Sequence, residues 1–149
     1  ASQDAPLLWL PMQDLALPVG NALANHDKTE FYCPGSLVRV VIDTQHPLGF
    51  GLPRDLPVLF MNSVAFDVGG KEATSVGQYP GADPLLSGWM LGGKHLERKH
   101  ALVDINFGEG HVVLVGFRPY FRAQTRGSYR VLFNAILRAG FEAEELTLN

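Results

Sequence analysis

Cys33 is the one cysteine in 149 residues, so no internal disulfide can form and a small disulfide-stapled scaffold is excluded. Charge is sparse as well. Charged side chains make up 18% and the net charge is −3, too weak a field to grip nucleic acid or an anionic membrane. No apolar run approaches the roughly 20 residues of a membrane span. Residues 1–6 carry neither the basic region nor the apolar core of a signal peptide. That leaves two readings: a chain that begins just after a cleaved signal, or a piece of a longer protein.

Motifs for bond chemistry are missing too. None of His26, His46, His95, His100 and His111 is followed three residues later by an acid, and no HExxH occurs, so no zinc-ligand spacing is present and no metal site is expected. There is no P-loop, no strand–GxGxxG–helix and no GxSxG elbow, so neither phosphate cradling nor a serine nucleophile is indicated, and no catalytic residue or cofactor is assigned. Cys33 is the candidate thiol. It has no fixed cation or evident base beside it in sequence, so a buried, inert cysteine is the simpler reading.

What the chain does have is core and punctuation. A hydrophobic fraction of 46% can build one domain over 1–149, and 16 glycines and 10 prolines predict short elements joined by many turns. Helical spacing of Leu15, Val19, Ala22 and Leu23 predicts a short helix over 18–24. β-branched runs predict strands over 36–43, 58–61, 65–68 and 74–79, with a loop over 44–57 and a short apolar segment at 85–93. The clearest pair is 101–107 with 111–117, joined by Gly108-Glu109-Gly110 as a hairpin. Near the end, Tyr129, Leu132, Phe133, Ile136 and Leu137 recur at i, i+3, i+4, i+7 and i+8. This predicts a helix with an apolar stripe on the core, Arg130, Asn134 and Arg138 on the opposite face, and Gly140 as its stop. Residues 141–149 then form a short edge strand or a frayed tail.

The densest polar cluster is basic: Arg118, Arg122, Arg126 and Arg130, four apart, between a strand and this helix. Such junctions bind anions in α/β sheets, which makes the segment a candidate anion or acidic-peptide site. The plainer reading is that these arginines bridge loops and pair with carboxylates such as Asp104 or Glu109. Phe60, Phe66 and Trp89 are read as core, and nothing resembles aromatics interleaved on a basic strand, so no nucleic-acid partner is expected.

Several phrases resemble the C-terminal region of bacterial M14-type zinc carboxypeptidases: Phe31-Tyr32-Cys33-Pro34-Gly35-Ser36, Thr44-Gln45-His46-Pro47-Leu48-Gly49-Phe50-Gly51-Leu52, Leu86-Ser87-Gly88-Trp89-Met90, and Gly116-Phe117-Arg118-Pro119-Tyr120-Phe121-Arg122 running on to Gly127. The resemblance implies a class I glutamine-amidotransferase-like domain of flavodoxin-like α/β type with a mixed sheet, lacking its N-terminal half; the alternative is α+β. It further implies a non-catalytic accessory or assembly domain, secreted or periplasmic, whose parent is a zinc metallopeptidase. The family's zinc-binding and catalytic segments have no counterpart here. With one firm helix, the sheet is expected to leave a face for a catalytic peptidase domain or a second subunit, including a homo-oligomer. Two rival functions are a small hydrolase or amidotransferase using Cys33, and an anion-binding module using Arg118, Arg122, Arg126 and Arg130.

Overall fold

The computed structural model describes residues 17–147, with side chains described through residue 139. Eight strands are followed by one α-helix: β1 Val19–Asn21, β2 Ser36–Ile42, β3 Asp55–Phe60, β4 Phe66–Val68, β5 Ala73–Gln78, β6 Leu85–Ser87, β7 His100–Phe107, β8 Gly110–Val115 and α1 Tyr129–Thr147. The strands form one sheet ordered β1-β4-β7-β5-β2-β3, with β6 also on β2 and β8 also on β7. Every one of these strand pairs is antiparallel.

This is a sheet-dominated mixed fold with its α-helix at the end of the chain. A flavodoxin-like domain needs parallel strands, each crossover carrying a helix. Among the described residues strands follow strands without intervening α-helices.

β7 is the spine. It pairs with β5 along one side and with β8 and β4 on the other, and residues 101–105 are buried on both faces. One face joins Leu102 to Val38, Val40, Leu56, Phe60, Tyr79 and Val131 in the larger core. The other carries Val103, Ile105, Phe66 and Leu114 in a smaller cluster, with Val19, Val68 and Val112 only partly covered. β2 alternates buried and half-buried residues along its whole length, as the period of two requires. Gly77 on β5 lets the sheet close tightly, because a Cβ there would lie 3.0 Å from Val40 and 3.1 Å from Leu102.

Four expectations change in detail. The predicted helix over 18–24 is strand β1 followed by a turn: Val19–Asn21 pair with β4, and Asn21 Oδ1 accepts from the Leu23 amide and stops the strand. The predicted loop 44–57 contains a short 3-10 turn, Pro47–Gly49, and β3 already starts at Asp55. Pro57 is tolerated there because β3 ends the strand order, and among the described residues its outer side carries only the single bridge of Leu59 with Arg118. The hairpin loop is Gly108-Glu109 alone, with Gly108 at φ 60° supplying the left-handed residue that a tight reversal needs. Gly140 does not stop α1, which continues to Thr147. Neither an edge strand nor a frayed tail is therefore seen over 141–147, and 148–149 lie outside the described residues.

The largest difference lies in how α1 is turned. Phe133, Ile136 and Leu137, expected on the core, are 62%, 68% and 58% exposed. The inward face is Val131, Asn134, Ala135 and Arg138, again at i, i+3, i+4 and i+7. Asn134 is buried and its amide donates to the carbonyls of Leu48 and Phe50, both at 2.9 Å. Val131 in the larger core and the polar anchors Asn134 and Arg138 together hold this side of α1 against the sheet. Of the apolar stripe, Phe133, Ile136 and Leu137 face away from it, while Tyr129 and Leu132 are half-buried.

Candidate functional site

The one buried acid among the described residues is Asp104 on β7, 4% exposed and on the same strand face as Leu102. A carboxylate in that position must be paired or it cannot remain ionised at tolerable cost. Three elements supply the partners. His46, leading into the Pro47–Gly49 turn, places Nε2 3.3 Å from Oδ2. His111 on β8 places Nδ1 3.1 Å from Oδ1. Arg138 on α1 donates from Nη1 to Oδ2, and its Nη2 lies 3.1 and 3.0 Å from the two ring nitrogens of His111.

Local structure fixes each group. His46 Nδ1 accepts from the Leu48 amide at 3.3 Å, so the proton of the neutral ring is on Nε2 and points at Asp104. Burial holds the His46 pKa below its ordinary value, against the pull of Asp104, so the ring is neutral at pH 7. The turn that carries it needs glycine at 49, since a Cβ there would sit 2.0 Å from the Asp43 carbonyl oxygen. His111 reaches Asp104 because β8 pairs with β7 in the register Asn106↔His111. Arg138 arrives because α1 is anchored one turn earlier by Asn134.

Chemically this is a clamp. A triad-like base needs one imidazole nitrogen on the acid and the other free for a nucleophile. In His46 the second nitrogen is occupied by a backbone amide, and in His111 it faces a guanidinium. Arg138 fills the side of the carboxylate a cation would take, and no group of His, Cys, Asp and Glu suited to a metal occurs among the described residues. Asp104 ties the 46–49 turn, β8 and α1 to the middle of the sheet.

Cys33 is 3% exposed, and its Sγ donates to the Phe60 carbonyl at 3.3 Å. Burial raises its pKa, the direction opposite to activation. The arginine segment does not converge on one point. Arg118 donates from Nε to the Met61 carbonyl at 2.9 Å, and its guanidinium lies 5.9 Å from the Phe121 ring centre, with Arg122 at 5.4 Å from the same ring. Arg126 is in the short 3-10 turn before α1, and Arg130, in the first turn of α1, lies over Gly51. Loop bridging describes Arg118, and Arg130 packs over the 51 position; of the acids expected for this segment, Asp104 or Glu109, Asp104 is held by Arg138.

The Asp104 cluster was not legible as a set. Its one signal was an acid inside a β-branched strand, which in a two-sided strand demands partners. Of the aromatics read as core, Phe60 and Phe66 are buried, whereas Trp89 is 55% exposed and stacks edge-on against Tyr32 at 6.1 Å. No helix among the described residues is long and apolar enough to cross a membrane. An open groove of about 470 Å³ at the β2–β5 end is lined by Asp43, Arg54, Ser75 and Gln78, charges of both signs with no convergent set. Comparison of the chain with known protein families, curated proteins and solved structures returns no match.

Proposed function

We propose that this chain is a non-catalytic accessory domain whose work is packing, with the outer face of α1 seated against another polypeptide. The observation that carries this is the orientation of α1: its inward face is held by Asn134 and Arg138, while Phe133, Ile136 and Leu137 stand in solvent. Three large apolar side chains in one stripe, on a helix whose own attachment does not use them, are the pattern of an interface. The sheet face expected to receive a partner gives way to this helix face as the docking surface. A parent resembling an M14-type zinc carboxypeptidase, secreted or periplasmic, would supply the catalytic domain. An amidotransferase-like origin goes with that resemblance, and the antiparallel strand pairing favours its α+β variant over a flavodoxin-like one.

The test is a triple variant, Phe133→Ser with Ile136→Gln and Leu137→Gln. The expected result is a chain that unfolds at the same denaturant concentration as the parent sequence when both are monomeric, with lower binding of a hydrophobic dye. Unfolding of the variant would show the stripe to be part of the domain's own core and end the packing reading. Zinc-dependent release of C-terminal residues from peptides by the purified chain would end the non-catalytic one.

A further inference from the structure

Of the three aromatics expected in the core, Trp89 stands in solvent, yet its backbone is fixed from both sides. Ser36, buried at the start of β2, donates from Oγ to the Trp89 carbonyl at 2.6 Å and accepts from the Trp89 amide at 2.9 Å. Gly88 precedes it at φ 99°, and a Cβ there would lie 2.6 Å from Ser36 Oγ, so glycine is what lets the two segments lie so close. Two residues on, Leu91 and Tyr32 exchange backbone hydrogen bonds at 2.9 and 3.2 Å. A large exposed side chain on so firm a base is suited to anchor a ligand, because little freedom remains to be lost on binding.

The period of two sorts the side chains of this pairing. Phe31, Cys33 and Met90 turn into the larger core. Tyr32, Trp89 and Leu91 take the outer side, Tyr32 half-buried, Trp89 and Leu91 exposed. The Tyr32 and Trp89 rings meet at 62° with their centres 6.1 Å apart, which makes an open aromatic corner. Neither Tyr32 Oη nor Trp89 Nε1 is hydrogen-bonded to another group among the described residues.

We infer that this corner binds a proline-rich peptide in the extended polyproline II form. A prolyl ring is apolar and carries neither charge nor donor, which suits a corner of two aromatic rings and a leucine. The corner's own polar atoms are an indole N–H, which only donates, and a phenol O–H. A polyproline helix has no internal hydrogen bonds, so its carbonyls stand free to accept from both. An added β-strand would bring N–H groups that need backbone acceptors, and the Tyr32 and Leu91 carbonyls are already paired with each other's amides. A sugar brings a donor with every hydroxyl, and neither Trp89 nor Leu91 has an acceptor to offer it. The proline ligand is stiff before it binds, so two preordered surfaces meet. No residue of α1 takes part, and the site goes beyond the packing reading and stands or falls apart from it.

Isothermal titration of the purified chain with decaproline tests this, with a glycine-serine peptide of equal length as the blank. The expected result is saturable binding with a dissociation constant below about 1 mM, weakened on the order of tenfold by Trp89→Ala. Tyr32→Phe keeps both rings and removes one donor, and is expected to weaken binding about threefold to tenfold. Because the Trp89 side chain is exposed, Trp89→Ala is expected to melt with the parent chain; if it does not fold, Tyr32→Phe carries the comparison. No saturable heat up to about 1 mM decaproline, or binding that the folded variants leave unchanged, would overturn the inference. Saturation by cellohexaose in place of decaproline would overturn the choice of ligand in favour of a sugar.

Discussion

Strand β7 and helix α1 are built on opposite plans. β7 buries apolar side chains on both faces and carries one acid, Asp104, whose acceptor sites are met by three other elements. α1 turns an amide and a guanidinium inward and leaves its largest apolar side chains outside. Apolar periodicity states that a face will be buried. It does not state by what. In β7 the answer is the domain itself; in α1 the described domain leaves Phe133, Ile136 and Leu137 exposed.

Four measurements would break or sharpen this contrast. The largest effect is expected for Asp104→Ala, which strands Arg138 and two histidines around a hole; loss of one partner of a buried ion pair costs about 3–5 kcal/mol. Urea unfolding reads it, and a loss under about 1 kcal/mol would mean that the clamp does not hold α1 to the sheet. Next is Leu102→Ala, in the strand's fully buried stretch, at about 2–5 kcal/mol by the same measurement. An insignificant change would place the core elsewhere. Asn134→Ala should cost about 1–3 kcal/mol by leaving the Leu48 and Phe50 carbonyls without their donor. Hydrogen exchange should then speed up in both α1 and the 46–50 turn; acceleration in one alone would refute the coupling.

The smallest effects concern protons. His46 and His100 both have pKa values lowered chiefly by burial. The unfolded chain therefore takes up these protons more readily, so the contribution is intact above about pH 6.5 and is lost as pH falls below it, levelling off once the folded-state pKa values are passed. For His46 the groups involved are Asp104, Arg138, Asp43 and His111. A His46→Gln variant should show a flatter decline in melting temperature between pH 7 and 5. An unchanged slope would remove His46 from the account.

How far the sequence could be read follows from the same contrast. Strands β2, β5, β7 and β8 were legible from β-branched runs because a period of two on a half-buried or buried sheet leaves little ambiguity. Strand β1 was misread as a helix, since three residues cannot display a period and the prolines nearby imitate a helix start. The flavodoxin-like mixed sheet expected from family phrases depended on resemblance, whereas the antiparallel ladder follows from short turns such as Gly108-Glu109. For α1, existence and start were plain, but its facing was decided by Asn134 and Arg138, whose partners at Leu48, Phe50 and Asp104 are 34 to 86 residues away in sequence. Local pattern carries no record of such distant acceptors. The Asp104 cluster was hidden for the same reason: its members stand at 46, 104, 111 and 138.

The proline in β3 has a consequence for how copies of this chain can meet. An outermost strand with a full row of donors invites another molecule to add its own strand, and growth of that kind has no natural end. Pro57 removes a donor from the middle of the row and Arg118 already bridges Leu59 on the same side, so recruitment along that border is frustrated. Strand-by-strand growth into open-ended fibres is thereby disfavoured at this border.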